Sequence, residues 1–230
     1  MFIRFQSRGG TSAPQDREQL EIDDQGTFSM WRSIVGNAPY PLDAVGHFVG
    51  QLDSSALAGL KSEVAAARSQ GDLKKTPPRD AATTTVEIEG AKASLGSSDV
   101  ADGDWGSLLA HLRSLEFELL RYPEAAIALE LVNGGSAARL VYHGKVPIKV
   151  DLHNMVVRAV LWEGFTKRGD WRAANKPGES PSADLAKSGW SVDLPFDHNF
   201  KVGPGQAIKA YVTFAIYDGD TRVPVSIVAI

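Results

Sequence analysis

The chain has 230 residues, of which 43% are apolar and 23% charged, and it contains no cysteine. This composition is typical of a globular protein, and it excludes disulfide frameworks, thiolate metal sites, iron–sulfur clusters and cysteine nucleophiles. The net charge is −4, with −5 on residues 1–122 and +1 on residues 123–230. Neither half therefore has the positive field that binding to a nucleic-acid backbone requires, and we expect no nucleic-acid partner.

The first residues, MFIRFQSRGG, do not form a secretory signal, because Arg4, Gln6 and Arg8 interrupt the apolar stretch that such a signal needs. No window reaches the roughly 20 apolar residues of a membrane-spanning helix. We therefore expect a cytoplasmic protein with no signal peptide, no transmembrane segment and no membrane partner.

The first half of the chain predicts strands at its start. Alternating apolar residues indicate a strand over residues 2–6 and another over residues 45–52. Between them, Asp24-Gln25-Gly26 is a turn sequence flanked by two β-like stretches, which predicts a hairpin. A second strand pair is predicted over residues 83–88 and 91–95.

Two helices are predicted in the same half. Leu57, Leu60, Val64 and Ala67 share one helical face, with Asp53 or Ser54 as N-cap and Gly71 as C-cap, so a helix is expected over residues 54–70. A wide leucine stripe predicts a second helix from Asp104 to about Arg121, which Pro123 ends. Residues 1–122 are therefore predicted to form an α+β domain, an antiparallel sheet with two helices on one face.

After Pro123 the pattern favours strands only. Asn133-Gly134-Gly135-Ser136 and Asp218-Gly219-Asp220 are turn sequences between β-like stretches, while residues 164–189 are polar and predicted to be a long loop. About seven short strands separated by turns predict an all-β sandwich over residues 123–230. Gly203-Pro204-Gly205-Gln206 followed by AIKAYVTF resembles the approach to the penultimate strand of immunoglobulin-like or fibronectin-like domains, with Tyr211 at the corner-tyrosine position.

The first half combines Ile3-Arg4-Phe5 leading to Gly9-Gly10 with a helix over residues 57–67, a strand pair and a helix over residues 105–120. In this order of elements it resembles emfourin-type inhibitors of thermolysin-like metalloproteases. Residues 27–50 exceed the family pattern, and residues 123–230 have no counterpart in it. The resemblance implies a non-catalytic domain that occupies a protease cleft through its loops, and no individual inhibitory residue is carried over.

Motifs of known chemistry are absent from the sequence. It has no HExxH, no GxSxG, no GxxxxGK[ST] and no GxGxxG, and its five histidines lack metal-ligand spacing. We therefore expect no catalytic residue, no cofactor and no metal site. Trp171 and Trp190 border the long polar stretch and are the candidates for an exposed binding surface.

The predicted function is that of a non-catalytic binding protein whose partner is another protein, with protease inhibition as the form that the resemblance implies. One alternative is a hydrolase with a site at the domain junction, built from Asp197, His198, His153 and Glu163. A second alternative is a structural or assembly subunit, because the chain ends in the apolar stretch Val223–Ile230. The oligomeric state is left open.

Overall fold

The computed structural model describes residues 2–9, 16–33, 44–77, 81–96, 99, 101–174 and 184–229. These residues are mostly β-strand, with two long helices, as the sequence pattern indicates. The chain separates into two compact units. One contains Met1–Arg32 and His47–Tyr122, and the other contains Ser33–Gly46 and Pro123–Ile230. No helix in the described ranges has a stretch long and apolar enough to cross a membrane.

The first unit holds a sheet built around β1. Its order runs β4-β3-β2-β1-β6-β7-β5, with β5 parallel to β7 and the pairs formed by β1, β2, β3, β6 and β7 antiparallel. Ile3 faces both Ile22 and Ile88, and all three side chains are buried. The bounds are β1 Ile3–Arg8, β2 Asp16–Ile22, β3 Thr27–Arg32, β4 Ala44–Gln51, β5 Leu73–Lys74, β6 Thr83–Ile88 and β7 Ala91–Gly96.

The two helices are α1, Ser54–Gln70, and α2, Gly103–Leu119, and they pack on each other. On α1 Leu60, Val64 and Ala67 are buried, as the spacing predicts, whereas Leu57, the first residue of the predicted face, is half-buried. On α2 the indole of Trp105 is fully buried, and its Nε1 donates a hydrogen bond to the carbonyl of Gly71 at 2.7 Å. This bond joins the start of α2 to the C-cap of α1.

Removing the N-cap of α1 should destabilise the first unit. The Asp53 carboxylate accepts a hydrogen bond from the backbone N–H of Ala56 at 2.8 Å. Asp53→Ala leaves that N–H without its acceptor, and we expect the free energy of unfolding to fall by about 1 kcal/mol. Urea denaturation measures the change, and Asp53→Asn, which keeps an acceptor oxygen, should cost only a few tenths of a kcal/mol. Equal loss in both variants would contradict the capping role.

The second unit contains two sets of paired strands. One runs β13-β9-β8, with the start of β4 next to β8, and the other runs β11-β10-β14-β15, with β12 also paired to β10. Their arrangement as an immunoglobulin-like sandwich stays a prediction. The bounds are β8 Pro123–Val132, β9 Ala137–Gly144, β10 Ile148–Glu163, β11 Thr166–Ala174, β12 Asp184–Ala186, β13 Ser191–Asp193, β14 Gln206–Asp218 and β15 Thr221–Ala229.

Two sequence-based expectations are wrong in this unit. The sequence pattern predicts two separate strands over residues 147–152 and 155–162, but they form one long strand, β10, whose pairing with β14 is irregular between Asp151 and Val156. The start of the predicted loop over residues 164–189 is instead the strand β11, which pairs with β10. This strand is held by main-chain pairing and by aromatic contacts on one side, although its sequence, TKRGDWRAA, has few β-branched residues.

Candidate functional site

The sheet β11-β10-β14-β15 has one apolar face and one polar face. Along β14, Ile208, Ala210, Val212 and Phe214 are buried, while the intervening residues are more exposed. This alternation places the intervening side chains on the opposite face, which we call the outer face. Directly opposed residues share a face in an antiparallel sheet, so the strand register identifies the other members of the outer face.

Positive charge is concentrated on the outer face. Arg158 stands opposite both Tyr211 and Arg172, and Lys209 stands opposite Val160, as does Asp170. Six cations and two carboxylates lie on this face among the described residues, which leaves four positive charges in excess. The cations are Lys149, Arg158, Lys167, Arg172, Lys209 and Arg222, and the carboxylates are Asp151 and Asp170. We call this surface the cationic face.

An open groove of about 680 Å³ lies on the cationic face. One of its walls is an ion-pair cluster. In it the Asp170 carboxylate accepts two hydrogen bonds from Arg158, at 2.5 and 2.8 Å, and one from Lys167 at 3.0 Å. The hydrogen bonds from Arg158 and then Lys167 hold the pKa of Asp170 far below its usual range. Asp170 therefore stays ionised and fixes the position of the Arg158 guanidinium. The groove is lined by Val156, Arg158, Asp170, Arg172, Tyr211, Thr213 and Ser226.

Arg172 is the cation of the groove that is available to a ligand. Its side chain is exposed, and it makes no ion pair with any residue in the described ranges. Arg158 lies between Arg172 and Tyr211 on the same face, with its guanidinium 5.9 Å from the centroid of the Tyr211 ring. The hydroxyls of Thr213 and Ser226 complete the lining. Such a set can hold an oxyanion, because a guanidinium donates two parallel hydrogen bonds and hydroxyls add further donors.

The cationic face was not predicted from the sequence. Charge summed along the chain does not reveal it, because the face collects residues from four strands that are as much as 73 positions apart, from Lys149 to Arg222. The signal that was present is the alternation in β11, where Asp170 and Arg172 are polar and Trp171 between them is not. Because β11 was predicted as loop, this alternation was not used.

The two tryptophans predicted as an exposed pair are both half-buried. Trp171 points to the side of β11 away from the cationic face, and its ring meets Phe196 edge-on with centroids 5.9 Å apart. Trp190 precedes β13, and its Nε1 donates to the Asp184 carboxylate at 2.7 Å. Each ring therefore has protein neighbours of its own.

The residues of the hydrolase alternative are dispersed. His153 and Glu163 lie ten positions apart in the same strand, roughly 30 Å along β10. The carboxylate of Glu163 instead pairs with Arg168 at 2.6 Å. The His198 ring stacks on Phe200 and meets Phe196 edge-on. Its Nε2 lies 2.9 Å from the carbonyl of Gly135, and its Nδ1 accepts a hydrogen bond from Phe200 N–H at 3.3 Å. Both ring nitrogens of His198 are thus occupied, while Asp197 is exposed.

A second charged cluster lies in the first unit. Arg32 of β3 is 5% exposed and forms an ion pair with its cross-strand partner Glu18, with its Nε 3.0 Å from the carboxylate. Burial raises the pKa of Glu18. Glu116 of α2 has a pKa raised well above its usual value by burial and by the charge of Glu18, and its Oε1 is buried without a hydrogen-bond partner in the described chain. The positive charge of the Arg32 guanidinium thus favours the ionised form of two half-buried carboxyl groups, Glu18 and Glu116.

No group of three or more possible metal ligands occurs among the residues that the structure describes. Comparison of the chain with protein-family models, with curated proteins and with solved structures finds no match. The resemblances to emfourin-type inhibitors and to immunoglobulin-like domains therefore stay predictions. The cationic face is the candidate functional site.

Proposed function

We propose that this protein is a binding protein whose cationic face holds acidic ligands, carrying carboxylate, phosphate or sulfate groups. The observation that carries the proposal is the excess of four positive charges on one sheet face of a chain whose net charge is −4. Charges are dispersed over most protein surfaces, and a local excess of one sign attracts ligands of the opposite sign.

The extent of the cationic face supports a ligand with several anionic groups. Lys149 lies over the Tyr217 ring at 4.2 Å, near the far end of β14, and Lys167 lies near the opposite end. The face is therefore about 30 Å long, at about 3.3 Å per strand residue. Within it, Arg172 provides the central contact, because Arg158 and Lys167 are already paired with Asp170.

Loss of Arg172 should weaken the binding of an acidic ligand. We expect Arg172→Met to lower the affinity for a heparin oligosaccharide about tenfold, since a charge-assisted hydrogen bond contributes about 1.5–3 kcal/mol. Isothermal titration calorimetry measures the affinity, and the wild-type affinity should fall as salt is raised.

The matched control is Arg121→Met, which removes the same charge from an exposed arginine after α2. Its affinity for the oligosaccharide should stay within a factor of two of wild type. An equal loss in the two variants would mean that net charge alone governs binding. Absence of binding between the wild-type protein and the oligosaccharide would overturn the proposal.

A further inference from the structure

The hairpin between β10 and β11 carries a fully exposed phenylalanine in its turn. Phe165 occupies the two-residue turn between Glu163 and Thr166, and its side chain is fully exposed. Exposing a whole aromatic ring to water forgoes the stabilisation that burial of a large apolar side chain gives. Turn positions are usually polar, so an aromatic residue here points to a contact outside the chain.

A second apolar side chain lies at the same end of the sheet. Glu163 stands opposite both Thr166 and Gln206, so the hairpin turn and the turn before β14 are neighbours. That second turn is fixed by hydrogen bonds between Gly203 and Gln206 at 2.9 and 3.2 Å. Val202 immediately precedes it and is 49% exposed.

Three cations lie near these two apolar side chains in the sequence, and two of them, Lys167 and Arg168, are paired with carboxylates. Phe200 packs against Gly169 of β11, which places Lys201 and Val202 between that contact and the turn before β14. Lys167 and Arg168 follow Phe165 along β11, and their side chains are about half exposed. We call this end of the sheet the apolar tip. Its members are Phe165, Lys167, Arg168, Lys201 and Val202, and Glu163 and Asp170 are the carboxylates beside it.

We propose that the apolar tip docks on an anionic membrane surface, with Phe165 and Val202 at the acyl boundary and Lys201 among the lipid phosphates. A fully exposed aromatic ring beside an exposed lysine fits that interface, which is apolar below and negatively charged at the headgroups. The inference rests on the proposed function and names its partner class. The absence of a long apolar window predicts that no segment spans a membrane, and no membrane partner was expected for that reason. Docking on a membrane surface does not require a spanning segment.

The position of each cation decides how much it contributes. A lysine at the tip lies within a Debye length, about 8 Å, of the headgroups, whereas Lys149 lies about 30 Å away along the sheet. Docking by the tip therefore predicts that Lys201 matters for vesicle binding and that Lys149 does not. Docking by the whole cationic face would make both matter.

The experiment measures co-sedimentation with vesicles of phosphatidylserine and phosphatidylcholine, with pure phosphatidylcholine as reference. The wild-type protein should bind the anionic vesicles only. Phe165→Ser should reduce binding about tenfold and Phe165→Trp should retain it. Lys201→Gln should reduce binding about fivefold, and its matched control Lys149→Gln less than twofold. Circular dichroism checks the fold of each variant.

The heparin titration separates this proposal from the proposed function. Phe165→Ser should bind the heparin oligosaccharide as the wild type does, because the oligosaccharide has no apolar phase. Two results would overturn membrane docking: heparin binding without vesicle binding, and vesicle binding that Phe165→Ser leaves unchanged. Either result would leave the proposed function in place, with an acidic protein as the ligand of the cationic face. Equally strong binding to pure phosphatidylcholine vesicles would also overturn membrane docking. If the wild-type protein bound neither vesicles nor heparin, the proposed function would be refuted too.

Discussion

Replacing Gly46 by alanine should destabilise the protein by about 3 kcal/mol or more, or prevent it from folding. Gly46 lies in β4 with φ +132, a conformation that residues with a Cβ rarely adopt. An added Cβ would lie 2.2 Å from the carbonyl oxygen of Ala125 and 2.9 Å from the Cα of Ala126. Both contacts are with main chain of β8, so no side-chain rotation can relieve them.

Urea denaturation followed by tryptophan fluorescence measures the effect, together with the yield of folded protein. Gly219→Ala is the matched control, because Gly219 also has a positive φ, +58, but has open space where the Cβ would be. We expect this control to lose only about 1 kcal/mol. A Gly46→Ala variant as stable as the Gly219→Ala variant would show that β4 and β8 can move apart without cost.

Arg32→Met should make the stability of the first unit strongly dependent on pH. Without the guanidinium, the half-buried Glu18 loses the cation that lies 3.0 Å from its carboxylate, and Glu116 keeps only Arg113 of the two arginines that favour its ionised form. Removing one partner of a buried ion pair costs about 3–5 kcal/mol. We expect a loss of that order at pH 8. At pH 5 the loss should be smaller, because protonation then removes the buried negative charge.

The sign follows from the pKa values of the two carboxyl groups. Burial raises both folded-state pKa values above their unfolded ones, so the folded protein binds protons more tightly than the unfolded chain. The free energy of unfolding therefore falls as pH rises from the unfolded pKa to the raised folded pKa, and is flat above it. Urea denaturation at pH 5 and pH 8 tests this.

Two further variants isolate the cluster. Arg32→Met combined with Glu116→Gln should recover part of the loss at pH 8, because one buried charge is removed. Arg4→Met breaks the exposed Arg4–Glu21 pair at 2.7 Å, and it should cost less than about 1 kcal/mol with no comparable pH dependence. A pH-independent loss in Arg32→Met would mean that packing of the arginine stem, not charge, is what stabilises this site.

Local signals predicted the elements that depend on local interactions. The helix over residues 54–70, its Asp53 cap and its buried stripe are set by neighbouring residues, and the structure has all three. The turn after Ile22 was also readable, since Asp23 accepts hydrogen bonds from the N–H groups of Gln25 and Thr27 at 3.0 and 2.8 Å. Such features need no knowledge of distant strands.

The cationic face depends on pairing that no local pattern encodes. Arg158 and Tyr211 are opposed only because β10 pairs with β14 in one register, and a shift by one residue would turn Tyr211 to the core. The strand β11 was missed for a related reason, since its apolar side is covered by Phe196 and Phe200 from a later segment. Sequence periodicity alone could not supply those partners.

The division of β4 has a consequence for how the chain can be cut. Ala44–Gly46 belongs to the second unit, and the carbonyl of Ser33 accepts a hydrogen bond from Ser226 N–H at 3.0 Å. A fragment of residues 123–230 therefore lacks part of its own unit, and expressed alone it would expose the β8 main chain that Gly46 covers. During synthesis, residues 33–46 of the second unit therefore leave the ribosome more than seventy residues before Pro123, and this unit cannot be complete until both of its segments have been made.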